Sequence, residues 1–369
     1  MDTPTRYLRG HSDGFVGRRT RFARYLVCSM QGHFPVLIKT GAEALAVVYR
    51  TGAAHVGITG TLATARSADG GMSWSDPIEI APRWDDNRNP AFGQNAAGEW
   101  IAAWWKARLH AYAEEGDGGL HYASGEKRDE QMATIPALYY ARSSDEGRTW
   151  SEPTAYRSEL LSLASPYGRI IAAPDGTLLM SVYGHPREAA DVRDIAILLR
   201  SADGGRTWGD ETLVARGYNE TAYAFLPDGR LIGAARSESG HVATLFSDDV
   251  GRTWSAPQQV TRDGEHPADL TLLHSGRLLL TFGRRIRPLG CGALLSDDGG
   301  RTWNHDREVL LAGDGVENTD LGYPSTVQLD GGTIVTALYY ASGSDMSTDW
   351  RGWGPVSCQA IHYREEDLA

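Results

Sequence analysis

Along most of the chain short apolar stretches alternate with polar, glycine-containing turns, as in Asp175-Gly176-Thr177-Leu178-Leu179-Met180-Ser181-Val182-Tyr183 and Asp228-Gly229-Arg230-Leu231-Ile232-Gly233. The pattern predicts short strands joined by hairpins. One polar octapeptide punctuates it five times: Ser67 to Trp74 (SADGGMSW), Ser143 to Trp150 (SSDEGRTW), Ser201 to Trp208 (SADGGRTW), Ser247 to Trp254 (SDDVGRTW) and Ser296 to Trp303 (SDDGGRTW). The copies lie about 45 to 75 residues apart, in the range of a four-stranded propeller blade with loop insertions.

The octapeptide has the chemistry of a turn. Its aspartates (Asp69, Asp145, Asp203, Asp249, Asp298) are suited to accept hydrogen bonds from backbone N–H groups two or three residues on, and its fifth-position glycine (Gly71, Gly147, Gly205, Gly251, Gly300) permits positive φ. The closing tryptophan is expected to start the next strand and pack on its own blade. A second repeat precedes each octapeptide and reads as an innermost strand, beginning near His33, Arg88, Ser165, Asn219, His266 and Tyr323. Six starts and five octapeptides predict an all-β fold, a six-bladed β-propeller forming one domain over residues 1–369. Strand-like segments at Arg24 to Met30 and Pro355 to Tyr363 are expected to close the ring by pairing in the last blade. The longest irregular stretch, about Trp105 to Thr134, carries His110 and His121 and reads as an insertion in blade two that overhangs one face.

Charge and composition narrow the partners. Acidic residues outnumber basic ones, 47 to 36, giving a formal net charge of -11. Such a field repels nucleic acid and anionic membrane surfaces, so an anionic ligand has to be held by local arginines. Cys28, Cys291 and Cys358 are odd in number and lack the short spacing of a zinc site, which points to a reducing compartment and to no disulfide framework. No apolar leader or bilayer-length run is seen, so a cytoplasmic location is the expectation, with no metal and no cofactor. His33, His55, His110, His121 and His266 lie in separate segments without metal-ligand spacing.

The octapeptides match S-x-D-x-G-x-T-W, and with six innermost strands the chain resembles the sialidase superfamily of six-bladed propellers over nearly its whole length. Sialidases hold the sugar carboxylate with three arginines and attack the anomeric carbon with a tyrosine assisted by a glutamate. Asn219-Glu220-Thr221, followed by Ala234-Ala235-Arg236-Ser237, is similar to the segment that carries the glutamate and the second arginine. Phe282-Gly283-Arg284-Arg285-Ile286-Arg287-Pro288 stands where the third arginine is expected, with Arg285 favoured and Arg287 the alternative. Leu321-Gly322-Tyr323-Pro324 resembles the nucleophile segment, which makes Tyr323 the candidate nucleophile. Two departures stand out. His33 in Gly32-His33-Phe34-Pro35 occupies the place of the first arginine, and the blade-one loop from Thr51 to Gly60 has no acidic residue where the family carries its catalytic acid, leaving His55 as the ordinary proton donor there.

A tyrosine nucleophile suits an anomeric carbon that bears a carboxylate, because an ionised Asp or Glu would meet a like charge. Arginines suit that carboxylate through bidentate, permanently charged donors. Each residue also has a plainer role: Glu220 and Arg236 as a structural ion pair, Tyr323 as channel filling, His266 as a ligand contact or a packed histidine, and Arg88 as a substitute third arginine or a partner of Asp86. Three functions follow: an exo-glycoside hydrolase releasing a terminal, acidic sugar from an oligosaccharide or glycoconjugate; a lyase acting on a uronic-acid glycan; or a non-catalytic carbohydrate-binding propeller.

Overall fold

Apolar stretches bounded by glycine turns form the expected strands in the computed structural model, which describes residues 6–7, 18–19, 22–29, 31–53, 55, 59–81, 85–111, 121–123, 130–188, 193–315, 319–341 and 356–368. Among these residues the strands assemble as six blades, whose innermost strands are His33–Lys39, Asp86–Gln94, Ser165–Ala172, Tyr218–Phe225, Glu265–Leu272 and Gly322–Gln328. Each begins within two residues of its predicted start. Blade one is typical, running outward through Leu45–Thr51, Thr61–Ser67 and Ile78–Glu79 in antiparallel order. The helical segments among the described residues are two short 3-10 turns, His305–Arg307 and Glu365–Leu368.

The last blade is completed from the other end of the chain. Ala23–Cys28 pairs antiparallel with Ser357–Tyr363, with Cys28 opposite Cys358, so the expected closing pair forms. In blade two, Trp100–Ala111 and Glu130–Ser143 extend past the length of their neighbours and pair along it. Residues 112–120 and 124–129 of the expected insertion, and the side chains of His110 and His121, lie outside the described residues.

The octapeptides sit between the third and outermost strands, and their bonding is more specific than the turn chemistry alone implied. In the third copy Asp203 Oδ1 accepts from Arg206 N at 3.0 Å and Thr207 N at 2.9 Å, three and four residues on, and Oδ2 accepts the Thr207 hydroxyl at 2.7 Å. Ser201 Oγ donates to Asp203 at 2.8 Å and accepts from Gly205 N at 2.8 Å. The tryptophans precede the next strand rather than starting it, and they pack on their own blade as expected and on a neighbouring blade as well. Trp74 lies with Leu45 of blade one and Val327 and Leu329 of blade six, and Trp254 lies with Leu198 of blade three and Leu231 of blade four.

Near the axis the register slips at the start of the innermost strands, for example between His33 and Val36, between Arg88 and Ala91, and between Gly322 and Ser325. A bulge re-aims the side chain that would otherwise point between blades. Phe34, Asn89 and Tyr323 sit at these slips with φ of 55°, 45° and 50°, and a proline, which has no N–H to leave unpaired, follows each one. Left-handed backbone at residues with a Cβ is costly and persists only where the surroundings over-determine it. The surroundings here are cross-blade ties: Tyr167 Oη donates to Ala268 O at 2.8 Å, Arg169 pairs with Asp269 at 2.9 Å, and Asp269 accepts from Thr326 N at 2.7 Å.

Replacing Asp203 with Ala strips four hydrogen bonds from one turn and is expected to lower stability by about 1–3 kcal/mol in urea unfolding; an unchanged midpoint would refute the structural role. The octapeptide carboxyls also set an acid limit. Hydroxyl and backbone donors hold Asp69 and Asp145 down at about 2. In Asp203 and Asp298 burial opposes the same bonds, and the carboxyls still fall to about 2. A folded value below the unfolded one means the stabilisation is complete above pH of about 4 and is lost as pH falls toward about 2. Urea midpoints should therefore hold steady down to about pH 4 and drop below it, and a flat profile through that window would contradict the assignment.

Candidate functional site

Tyr323, Glu220 and Arg236 meet although they come from two different blades. Tyr323 enters on the bulge of the sixth innermost strand, and Glu220 stands near the start of the fourth. The Tyr323 hydroxyl donates to Glu220 Oε1 at 2.5 Å, while Arg236 Nη1 donates to Oε2 at 2.7 Å. Glu220 is 2% exposed, and a buried carboxylate of this kind needs both partners. Tyr183 Oη reaches Oε1 at 3.4 Å and itself accepts from Asn89 Nδ2 at 2.8 Å. Burial and the Glu220 charge push the Tyr323 phenol well up, against the pull of Arg236 and Arg285, so it is protonated at rest.

The second predicted arginine of the clamp also arrives. The Arg285 guanidinium lies 5.9 Å from the Tyr323 ring centroid and Nη2 donates to Leu321 O at 3.3 Å. Arg287, the alternative, is exposed, and its carbonyl accepts from Arg284. The Nε atoms of Arg236 and Arg285 are buried with no hydrogen-bond partner, which leaves two cationic donors at the site unused. His266 belongs to this side. Burial, then Arg236 and Arg285, push its ring down to about 2, so it is neutral.

A second group of residues around Tyr323 has a different character. Phe34 packs edge-on against Tyr323 at 4.8 Å and against His55 at 4.9 Å. His55 Nδ1 lies 2.8 Å from Asp320 Oδ1, which also accepts the Tyr339 hydroxyl at 2.7 Å. Burial opposes the Asp320 charge, but His55, His33 and Tyr339 outweigh it and hold the carboxyl down at about 2. His33 is near the same carboxylate, with Nε2 at 3.9 Å from Oδ2. Burial pushes its ring down to about 3, with Asp320 opposing and His55 and Arg50 adding to the shift. The place of the expected first arginine is thus a neutral ring beside an anion.

Arg88 takes the plainer of its two readings. Its Nε donates to Asp86 Oδ2 at 2.7 Å, it lies over the Trp105 ring at 4.9 Å, and Arg50 holds the other oxygen of Asp86 at 2.6 Å. A similar knot stands behind His266. Arg284 Nη1 donates to Glu265 Oε1 at 2.5 Å and to Glu308 Oε1 at 2.6 Å, with Arg262 on the remaining oxygens. Glu265, His305 and Glu308 are close enough together to hold a cation, but two guanidinium groups already neutralise the carboxylates.

Sequence reasoning missed Asp320, Tyr183, Tyr339 and Asn89. Asp320 had a usable signal, since it precedes Tyr323 by three residues at the mouth of an innermost strand. The search for an acid was confined to the blade-one loop, whereas the carboxylate reaches that loop from blade six.

Comparison with known proteins agrees with this architecture. The profile of the BNR repeat-like domain matches residues 109–336, more than half of the chain. A sialidase from Bacteroides fragilis is 25% identical over 211 residues, covering 52% of this chain and 36% of that one. The aligned part thus spans about a third of the length of the curated relative. Among solved structures, a protein of unknown function from Dyadobacter fermentans superposes with a TM-score of 0.77 at 22% identity, covering 93% of this chain and 98% of that one. A Hadza microbial sialidase superposes with a TM-score of 0.70 at 20% identity, covering 96% and 71%.

Arg284→Met is expected to cost about 3–5 kcal/mol, because it leaves Glu265 and Glu308 facing each other with only the more exposed Arg262 to bridge them. Urea unfolding measures it, and a loss below about 1 kcal/mol would show that Arg262 alone suffices.

Proposed function

This chain belongs to the BNR repeat-like domain family within the sialidase superfamily, and we propose on that footing that it is an exo-glycoside hydrolase releasing a terminal acidic sugar. The observation that carries the reading is the 2.5 Å contact between the Tyr323 hydroxyl and Glu220, with Arg236 on the other carboxylate oxygen. The partly exposed guanidinium groups of Arg236 and Arg285 beside Tyr323 support a carboxylate on the sugar, because such permanently charged donors bind a carboxylate well.

The chemistry proceeds by displacement with retention. The phenol is protonated at rest, so its proton passes to Glu220 as the bond from Tyr323 Oη to the anomeric carbon forms. The bond to the leaving oxygen breaks in the same step, and His55 supplies the proton that oxygen needs. Water then attacks the tyrosyl glycoside, returning a proton to His55, and Tyr323 recovers its own from Glu220. Arg236 serves twice in this scheme: Nη1 fixes Glu220, and the exposed part of the same guanidinium faces the sugar carboxylate. The neutral His33 leaves the carboxylate with two arginines instead of three, so the acidic sugar is held less tightly than in a three-arginine site.

Release of the aryl group from an aryl α-sialoside tests this directly. Turnover by the wild type should fall by about three or more orders of magnitude in Tyr323→Phe, with the fold intact by circular dichroism. Absence of turnover by the wild type would sink the sialidase form of the proposal. An unsaturated, ultraviolet-absorbing product from a uronic-acid glycan would replace hydrolysis by elimination.

A further inference from the structure

Two histidines compete for the Asp320 carboxylate, and geometry decides between them. His55 Nδ1 is 2.8 Å from Oδ1, whereas His33 Nε2 is 3.9 Å from Oδ2. The His33 side chain is 5% exposed and that of His55 is 27% exposed, so water and ligand reach His55 and not His33. A buried imidazole cannot carry charge cheaply, and a partly exposed one beside an ionised carboxylate can. The Asp320 charge is therefore available to His55.

The same carboxylate is tied to the wall of the nucleophile. Tyr339 donates to Asp320 Oδ1 at 2.7 Å and stacks on Tyr323 with ring centroids 5.7 Å apart. Phe34 packs edge-on against the His55, Tyr323 and Tyr339 rings and so joins them in one cluster. We propose that Asp320 is a positioning residue that forms a proton-donating pair with His55, holding Nδ1 so that the protonated ring presents Nε2 to the leaving oxygen of a glycoside bound over Tyr323. The inference rests on the hydrolase reading and adds to it a residue from blade six, where a sialidase-like site would carry a carboxylic acid on the blade-one loop. The proton moves from His55 Nε2 to the leaving oxygen as its bond to the anomeric carbon breaks, and the attacking water returns it. The charged and titratable groups around the pair are His33, Tyr339, Arg50, whose charge also acts on His33, and Arg285, whose charge also acts on Tyr339. Asp86 pairs with Arg50, and Asp320 is the carboxylate in direct contact with His55.

Titration of the His55 ring by NMR, assigned by loss of its signal in His55→Gln, tests the pair without substrate. In Asp320→Asn the midpoint is expected to fall by about one pH unit or more, because an anion in contact with the ring is gone. The alkaline limb of the kcat profile should move down by the same amount while KM changes little. If Asp320→Asn does not fold, Tyr339→Phe serves: stripping one hydroxyl from the carboxylate should move the midpoint up. An unchanged midpoint overturns the proposal whether or not the wild type turns over a glycoside, and so does a profile that stays put while the midpoint moves. A shifted midpoint with no turnover by the wild type would instead remove the hydrolase reading and, with it, the role of the pair.

Discussion

Six sheets arranged around an axis leave two free edges unless the ring is closed, and closure here is made by pairing Ala23–Cys28 against Ser357–Tyr363. The site depends on it. Tyr323 stands in the blade that this pairing completes, and Glu220 stands two blades away, so their 2.5 Å contact exists only in a ring of fixed radius. Hydrophobic burial between blades sets that radius, with the octapeptide tryptophans filling the wedge between neighbouring sheets. Cross-blade bonds such as Tyr167 to Ala268 and Arg169 to Asp269 then hold the innermost strands in register with one another.

Within this frame the charges around Tyr323 fall into two groups. Arg236 and Arg285 stand with a neutral His266, and Asp320 stands with His55 and a neutral His33. The division follows from burial. A deeply buried histidine loses its charge, whereas a buried carboxylate keeps its own if it gathers enough donors, as Asp320 does from His55 and Tyr339. Away from Tyr323, Arg50, Asp86 and Arg88 form one knot of paired buried charges, and Glu265, Arg284 and Glu308 form another.

Much of the ring could be read from local signals. An Asp-containing turn with a positive-φ glycine and a closing tryptophan is determined by neighbouring residues, so five copies located five blades before any contact was seen. Glu220, Arg236, Arg285 and Tyr323 were legible through the resemblance to the sialidase superfamily, whose site residues stand at the matching places in the repeat. Asp320 was not, because its partner His55 lies 265 positions away in sequence and nothing local to either residue marks the contact. Arg88 shows a related limit: the sequence left it between a ligand and Asp86, and the observed pair with Asp86, with the guanidinium over Trp105, appears in three dimensions.

The sequence by itself determined the repeat, the number of blades, the closing strand pair and the residue types gathered at the axis, since these rest on periodicity and turn chemistry acting over a few residues. Only the tertiary structure decided which charges remain charged and which groups touch. Burial and distance between blades set both, through desolvation of His33 and His266 and through the carboxylate that blade six delivers to a histidine of blade one.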